Sequence, residues 1–585
     1  MTVDRIRLLW IFVVLSSCLV SWSGRGGLCF KYEDQLDDYI EHIRRCRKIP
    51  AVSVAVVQDE DIWTKAYGES DRETGKRATT KSLFCIASLT KAFTSTLLAM
   101  VLSEQEGLSW DTPLKQILGD GFALNDHLRT EHTNLRDVLS HRVGSLSYFL
   151  PLMTGFPRDV TRNELIRRLR FMESPAPFRT QFIYSNYMYT LAGHVAEELK
   201  HGQTWESLVT EYLFKPLNMD TATFVPMLTD VDDLAKPYVT KNGSLTRIHI
   251  NTARVVVPLG PAGSIVASTD DMAKWLRFHV TGGKSSSDNQ LVKPEMLTDT
   301  YTGQVATPFP GSDKTLPTWP IADMSISYNL AWMTSAYRGY KILWHSGEIS
   351  GYSSKILFIP ELKIGIYANI NGAKGPADSV KIIAYVLADL LIGLPVWLNK
   401  TTVCSYPQPW VRNTPKTKTE MKPARIVKKN VSHKLEEYTG EYGNLAFGNI
   451  TVSLDVEKST LYFAFGRYGR AQLVPVDTRD QFAIKWTGVL SYLHDSDVQL
   501  PPNIVRFYAN PTNENRISRL SINLDPSIST NFSKGLKLTD TPKTKYYDGE
   551  SAAACMLSES VILTPSTFQR GFVLVAIVIN SVIFY

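Results

Sequence analysis

Ser88 and Lys91 lie three residues apart, and a hydroxyl and an amine at this spacing could act as a nucleophile and its base. Phe93, Leu97 and Val101 follow at helical spacing, so we place the pair at a helix N-terminus, where both side chains share one face. Serine needs an adjacent base to become a good nucleophile. A lysine can be that base only as a neutral amine, which requires lowering its pKa by about three units, or about 4 kcal/mol. Burial or neighbouring positive charge can do this.

Two further patterns carry groups that a hydrolase could use. Tyr184 and Asn186 would project on the same side of an extended segment, where the phenol could relay a proton and the amide could bind a substrate carbonyl. His345 follows a strand-like segment, and Gly347 would allow the close backbone approach that an oxyanion hole requires. Taken singly, each pattern has an ordinary alternative: a chance Ser-Lys spacing, a surface turn that opens a helix, and a histidine at a strand end.

The order of the three patterns is more informative than any one of them. Ser-x-x-Lys, Tyr-x-Asn and His-x-Gly resemble, in this order, the motifs of the serine β-lactamase-like family, which includes class C β-lactamases, penicillin-binding carboxypeptidases, related esterases and D-aminopeptidases. Arg142-Val143 departs from the family's usual Thr-Ser. Other segments similar to the family are 133–141, 212–219, 261–272 and 345–360.

The resemblance implies an α/β (α+β) fold: an antiparallel sheet flanked by helices, with an all-helical lobe and the active site between them. It implies Ser88 as the acyl-forming nucleophile, Lys91 as the base and Tyr184 as an aid to proton transfer, with Asn186 orienting the substrate. The oxyanion hole would combine the N–H groups of Ser88 and Glu348. Which of Lys91 and Tyr184 takes the proton stays open. No metal or other cofactor is expected.

His345 stands where true β-lactamases usually carry a lysine that receives the substrate carboxylate. An unperturbed histidine is mostly neutral at pH 7. We therefore expect a hydrolase that acts on a small-molecule or peptide substrate, an ester or a peptide or other amide, with weak β-lactamase activity at best. The alternative is a secreted extracellular-matrix or surface component that keeps the fold with little or no catalysis.

Composition along the chain predicts five regions. Residues 34–395 alternate helical and strand-like segments, including strands at Val52–Val57 and a helix at Val380–Ile392, and form the hydrolase domain. Residues 396–432 are rich in Pro, Thr and Lys and read as a linker. Residues 433–525 contain short runs of period two, typical of a small antiparallel β-barrel or sandwich, and resemble the lipocalin-like domain of some family members. Residues 1–23 and 526–585 are the terminal regions.

The two ends predict export. Arg5 and Arg7 precede an apolar run that ends in small residues near Ser23, the pattern of a cleaved signal peptide; the alternative is an uncleaved anchor. Small residues at Ser558 and Ser560, followed by an apolar end, resemble a GPI-attachment signal; the alternatives are a short membrane anchor and an ordinary apolar tail. We expect a secreted or surface-anchored protein. Among 585 residues the formal net charge is only +6, which gives no reason to expect nucleic-acid binding.

Export makes two covalent modifications relevant. In an oxidising compartment, two of Cys29, Cys46 and Cys404 could form a disulfide, whereas Cys85 lies in an apolar stretch and is expected to be buried. Five N-x-Ser/Thr triplets are candidate glycosylation sites: Asn242, Asn399, Asn430, Asn449 and Asn531.

Overall fold

A computed structural model describes residues 32–228, 233–241, 243–307, 323–373, 375–408, 431–494, 504–510, 516–525 and 527–537. The predicted signal peptide, the GPI-type signal and much of the predicted linker lie outside the described residues. Within them, no helix combines the length and the apolar character that crossing a membrane would require.

The helices alternate with strands through the first 405 residues. The α-helices are α1 Glu33–Cys46, α2 Thr90–Ser103, α3 Leu114–Leu118, α4 His127–His132, α5 Leu135–Leu139, α6 Phe149–Thr154, α7 Arg162–Arg168, α8 Asn186–Leu199, α9 Trp205–Val209, α10 Gly260–Gly263, α11 Thr269–Val280, α12 Pro294–Thr300, α13 Pro376–Ile392 and α14 Thr402–Ser405. The short 3₁₀ helices used below are Ala87–Leu89, Ile250–Thr252, Arg254–Val256 and Gly488–His494.

The strands fall into a large sheet, two small sheets and a barrel. They are β1 Ala51–Gln58, β2 Asp61–Asp71, β3 Lys76–Arg77, β4 Phe84–Cys85, β5 Thr223–Phe224, β6 Tyr238–Lys241, β7 Ser244–Arg247, β8 Ile265–Ala267, β9 Val305–Ala306, β10 Asp323–Tyr328, β11 Met333–Tyr337, β12 Tyr340–Ile349, β13 Tyr352–Ile359, β14 Ile364–Ile370, β15 Gly440–Asn444, β16 Gly448–Asp455, β17 Thr460–Phe465, β18 Gly469–Pro475, β19 Gln481–Trp486, β20 Ile504–Ala509, β21 Ile517–Asp525 and β22 Ile528–Lys534.

The large sheet is antiparallel, in the order β3-β2-β1-β14-β13-β12-β11-β10-β9. Successive side chains of a strand point to opposite faces, so β1 can supply two cores. Val52, Val54 and Val56 join one apolar cluster with residues of α1 and α13, whereas Ala55 and Val57 join another with residues of α11 and the helical lobe. Burial on both faces explains why β1 reads as an apolar run without alternation.

The expected fold class is confirmed: an antiparallel sheet flanked by helices, a helical lobe built from α3 to α9, and a β-domain near the C-terminus. The helix predicted near Ser88 begins at Thr90, directly after the 3₁₀ helix that contains Ser88. The helix predicted at Val380–Ile392 begins four residues earlier, at Pro376, because proline fits the first turn of a helix, where its missing N–H has no intrahelical partner.

The C-terminal β-domain is a closed barrel of eight strands, β15 to β22. Phe463, Phe465, Phe482 and Phe507 are buried within it and contact other aromatic rings edge to face. The alternation that predicted this domain therefore reflects one face that is turned inward and one that is turned to solvent.

A disulfide joins Cys46 at the end of α1 to Cys404 in α14, 358 residues apart. Beside it, the guanidinium of Arg47 donates to the carbonyl oxygens of Val403 and Tyr406. Val403 and Tyr406 are buried, so the packed structure extends past the predicted domain boundary at residue 395. Cys85 is buried and free.

The candidate glycosylation sites differ in exposure. Asn399 and Asn531 are exposed, whereas Asn449 is half-buried in β16, and its Oδ1 is buried with no hydrogen-bond partner among the described residues. Asn242 and Asn430 lie outside the described residues. Glycosylation stays a prediction at all five sites.

Replacing both cysteines of the disulfide, Cys46→Ser with Cys404→Ser, should lower the free energy of unfolding by about 2–4 kcal/mol, because a cross-link over so long a loop restricts the unfolded chain. Denaturant unfolding monitored by tryptophan fluorescence measures this. A reducing agent should destabilise the wild type and leave the double variant unchanged. Equal unfolding midpoints for the oxidised wild type and the variant would contradict the prediction.

Candidate active site

Ser88 is held on a sharp turn between β4 and α2. Ala87 has a φ of +48°, the left-handed conformation that side chains rarely adopt, and it reverses the chain just before Ser88. The hydroxyl of Ser354 donates to the carbonyl of Ile86 at 2.9 Å, and Thr90 Oγ1 accepts from the N–H of Ile265 at 3.1 Å. These contacts fix the turn from both sides and hold Ser88 at one position.

Lys91 lies one turn along the same helical segment and is fully buried. Its Nζ is 3.0 Å from Ser88 Oγ, 2.7 Å from Asn186 Oδ1 and 2.8 Å from the carbonyl oxygen of Ala262. Two of these partners are carbonyl oxygens, which can only accept. A neutral amine would give its two hydrogens to them and leave its lone pair for the Ser88 hydroxyl.

Burial lowers the pKa of the Lys91 amine well below its usual value. None of the three hydrogen-bond partners is a carboxylate, so no counter-ion offsets the loss of hydration that a buried ammonium would suffer. A role of Lys91 as a base requires a lowered pKa, and burial without a counter-ion is the structural cause of that lowering.

In the Tyr184–Asn186 segment, the side chains of the first and last residues both contact the Ser88–Lys91 pair. The Tyr184 hydroxyl donates to Ser88 Oγ at 2.9 Å, while Asn186 begins α8 and reaches Lys91. Ser185 between them is extended and buried; its N–H donates to His141 Nδ1 and its hydroxyl to the carbonyl of Leu146. Burial raises the pKa of Tyr184, which keeps the phenol protonated at neutral pH.

His345 is buried beside this cluster, but both of its ring nitrogens have protein partners. Nδ1 lies 2.6 Å from the carbonyl oxygen of Ser346, and Nε2 lies 3.1 Å from the hydroxyl of Tyr328. A carbonyl only accepts, so Nδ1 carries the proton and Nε2 accepts from Tyr328. Burial lowers the pKa of His345 to about 3, so the ring is neutral at pH 7. Both ring nitrogens are thus engaged within the protein, and the substrate-binding role of His345 stays a prediction.

Gly347 lets β12 pass directly against the nucleophile turn. A Cβ at this position would lie 2.1 Å from the carbonyl oxygen of Ile86 and 2.5 Å from Ser354 Oγ, so no side chain fits. The close approach of this strand, predicted from the glycine, thus brings the backbone that follows Gly347 next to the turn that carries Ser88.

The N–H of Glu348 points to an uncovered edge of β12. Both residues of the two-residue turn between β11 and β12 have positive φ. The two residues that flank such a turn, one of which is Tyr340 here, form two backbone hydrogen bonds with each other. The backbone N–H and C=O groups of successive residues in a strand point alternately to its two neighbours. In β12, those of the even-numbered residues therefore point toward β11. The pairing with β11 stops at Met333 opposite Trp344. Beyond it, no described strand covers the N–H of Glu348.

For several residues that the structure places at the site, no role was predicted from the sequence. The carbonyl oxygen of Ala262 accepts a hydrogen bond from Lys91. Ala262 lies in the segment 261–272, which is similar to the family but had no role predicted for it. His141 lies 4.3 Å from Tyr184, ring centre to ring centre, in the 133–141 segment. Tyr328 lies outside every recognised motif. Arg142, the departure from the family pattern, turns to Asp137 at 2.7 Å, and that carboxylate is buried.

One group of three potential metal ligands occurs among the described residues: His42, Cys46 and Cys404. Cys46 and Cys404 are joined as a disulfide, so neither offers the thiolate that a metal would bind. The group lies on α1 and α14, apart from Ser88 and Lys91.

The Beta-lactamase family model matches residues 36–390, well over half of the chain. The chain belongs to the beta-lactamase family. Its members include serine hydrolases with the fold described above. Among solved structures, the octameric penicillin-binding protein homologue from Pyrococcus abyssi is similar, with a TM-score of 0.51 and 22% identity, covering 86% of this chain and 99% of that one. At this identity the likeness concerns the fold alone.

Two curated fungal relatives are similar in sequence. Unguisins hydrolase ungD of Aspergillus violaceofuscus is 29% identical over 376 residues, covering 61% of this chain and 65% of the relative. Unguisins hydrolase ungD' of Aspergillus campestris is 27% identical over 449 residues, covering 73% of this chain and 80% of the relative. This beta-lactamase family chain thus spans just under two thirds of the length of ungD.

Gly347→Ala should slow the labelling of Ser88 by a fluorophosphonate, a reagent for activated serines, by about tenfold or more, because β12 must move away from the nucleophile turn. Labelling rates measured with purified protein test this. Gly121→Ala is the matched control, since a Cβ at Gly121 meets no atom within 4 Å. Equal rates for Gly347→Ala and the control would be inconsistent with the close contact.

Glu348→Gln should stabilise the fold increasingly as the pH rises. Burial, with a smaller effect of Asp378, raises the pKa of Glu348 to about 8. A carboxyl group whose pKa is higher in the folded state than in the unfolded state stabilises the fold at pH values below the unfolded-state pKa. This stabilisation is lost as the pH rises through the folded-state pKa. From about pH 4 to about pH 9, we expect the variant to gain about 2 kcal/mol on the wild type, since the half-buried side chain keeps some hydration.

Urea unfolding at a series of pH values measures this difference. Glu361→Gln, at an exposed glutamate, is the matched control and should not reproduce this change. A constant stability difference across the pH range would show that Glu348 does not titrate as described.

Proposed function

We propose that this protein is a secreted serine hydrolase that cleaves an ester or a peptide or other amide through an acyl-enzyme on Ser88. The observation that carries the proposal is the hydrogen-bonded group of Ser88, Lys91 and Tyr184, with Ser88 Oγ 3.0 Å from the amine and 2.9 Å from the phenol. A hydroxyl placed between a basic amine and a phenol is the arrangement that nucleophilic catalysis requires.

Lys91 is the base in this proposal. Tyr184 stays protonated and donates to Ser88 Oγ, so the Ser88 proton is directed to the lone pair of the Lys91 amine. As Ser88 Oγ attacks the substrate carbonyl carbon, its proton passes to Lys91 and the carbonyl π electrons move to oxygen. Collapse of this intermediate expels the alcohol or amine, which takes a proton from Lys91 directly or through Tyr184. Water then hydrolyses the acyl-enzyme by the same steps.

The N–H groups of Ser88 and Glu348 would stabilise the negative oxygen of the intermediate. The contact between Gly347 and Ile86 supports this assignment, because it brings β12 beside the turn that presents Ser88. Backbone donors fixed in a buried site stabilise a developing charge without reorganising. A single such donor contributes about 3 kcal/mol.

The charge of the site favours a substrate without a carboxylate next to the scissile bond. Burial lowers the pKa of Lys91, His141 and His345, and it raises the pKa of Tyr184, so burial favours the uncharged form of each group. Arg142 is paired with Asp137. A neutral ester or an amide within a peptide fits this site better than a β-lactam does. The relatives named as unguisins hydrolases are compatible with a hydrolase function.

Secretion is supported by the Cys46–Cys404 disulfide together with the signal-peptide pattern, because disulfides persist in oxidising compartments. Surface anchoring through the GPI-type signal is part of the same proposal.

Ser88→Ala should abolish fluorophosphonate labelling and lower hydrolysis of a neutral ester such as p-nitrophenyl acetate by at least about a thousandfold, because it removes the hydroxyl that forms the acyl-enzyme. Lys91→Arg should have a similar effect, because a guanidinium stays protonated and cannot accept the serine proton. Ser103→Ala, a substitution at the far end of α2, is the matched control.

Labelling of wild type and Ser88→Ala to the same extent, or of neither, would overturn the hydrolase proposal. The second result would favour the alternative of a matrix or surface component that retains the fold.

A further inference from the structure

The C-terminal barrel contacts both structural units that meet at the candidate site. The turn between β17 and β18 docks on the helical lobe, and the 3₁₀ helix Gly488–His494 reaches the turn between β12 and β13. One contact is therefore made with the lobe that carries Tyr184, and the other with the turn that follows Glu348.

The contact with the lobe is made by backbone. The N–H of Arg467 donates to the carbonyl of Gly155 at 2.9 Å, and the N–H of Tyr468 donates to the carbonyl of Thr154 at 2.8 Å. A Cβ at Gly466 would lie 2.0 Å from the oxygen of Gly155, so the turn can approach this closely only with glycine there. The two segments are therefore fixed to each other with little freedom.

This part of the lobe is connected to the catalytic segment. Ser185, between Tyr184 and Asn186, donates to the carbonyl of Leu146 at 3.1 Å. Two residues further along, the ring of Tyr148 lies 4.6 Å from that of Phe447 in the barrel, centre to centre. The barrel thus supports the stretch that positions Tyr184.

The contact with the sheet includes a hydrogen bond between two side chains. The hydroxyls of Tyr492 and Ser350 are 2.5 Å apart, and Tyr492 is buried. Ser350 lies two residues after Glu348, in the turn that joins β12 to β13. On the other side of this turn, a Cβ at Gly351 would lie 2.4 Å from Pro237 Cβ, so the turn is held between Pro237 and the barrel.

The end of β12 needs such support more than the rest of the strand does. Among the strands that the structure describes, residues 345–349 pair with β13 alone, because the pairing with β11 stops at Trp344. The other edge of this segment therefore lacks the backbone hydrogen bonds that a second neighbouring strand would supply. Misplacing a catalytic group by about 1 Å can cost about a hundredfold in rate.

We propose that the barrel acts as a clamp on the active site and that Tyr492, through Ser350, is a positioning residue that holds the Glu348 N–H in place for the oxyanion. Tyr492 touches no reacting atom; it acts through the turn that follows β12. The proposal rests on the serine-hydrolase function proposed above and adds a catalytic dependence of the first domain on the second.

The test compares Tyr492→Phe, Ser350→Ala and the double variant of the full chain. Each single variant should lower the second-order rate of fluorophosphonate labelling and the kcat for p-nitrophenyl acetate by about tenfold, with KM little changed, because the oxyanion is stabilised only in the transition state. The double variant should be no slower than either single variant, since both remove the same hydrogen bond. Ser350→Thr keeps a hydroxyl and should retain most of the rate.

Tyr508→Phe is the matched control: Tyr508 is an exposed barrel tyrosine, and its loss should change neither rate. Thermal unfolding midpoints identify any loss of folded protein. Single variants with wild-type kcat and labelling rates, or with losses that match a lowered midpoint and vanish at low temperature, would overturn the clamp while leaving Ser88-dependent labelling of the wild type intact. A wild type without Ser88-dependent labelling would overturn the hydrolase function, and the clamp with it.

Discussion

The candidate site depends on an amine that is buried without a counter-ion. Lys91 is surrounded by two carbonyl oxygens, one hydroxyl and the rings of Tyr184 and Tyr189, whose centres lie 4.7 and 5.3 Å from Nζ. A carboxylate in this position would stabilise the ammonium and remove the base. The fold meets this condition by bringing together parts of the chain that are far apart in sequence: the start of α2, the start of α8 and the Gly260–Gly263 turn.

The sequence predicted those groups whose chemistry is visible in the residue type and spacing. The Ser-x-x-Lys and Tyr-x-Asn patterns are local, so the helix starts at Thr90 and Asn186 could be located within a few residues. The Ala262 carbonyl and Tyr328 could not, because a backbone carbonyl has no residue signature and Tyr328 reaches His345 only through the β10-β11-β12 pairing. The same limit applies to Tyr492, whose partner Ser350 is 142 residues away.

The protonation of His345 shows how a structure can refine a residue's role. The histidine at position 345, where related β-lactamases usually carry a lysine, predicted an uncharged group at this position. The ring is neutral because it is buried, and its orientation is set by the carbonyl of Ser346 and the hydroxyl of Tyr328. The imidazole therefore belongs to a buried polar network with the hydroxyl of Tyr328 and the carbonyl of Ser346.

The barrel and the helical lobe share one continuous apolar cluster, in which Tyr148, Leu150 and Met153 pack with barrel residues. Removing the barrel would expose to water the apolar surface that these residues bury against it, with a loss of about 25 cal/mol per Å². The barrel and the helical lobe are consequently packed together as one unit. Over evolutionary time, substitutions on either side of this seam would have to be matched on the other.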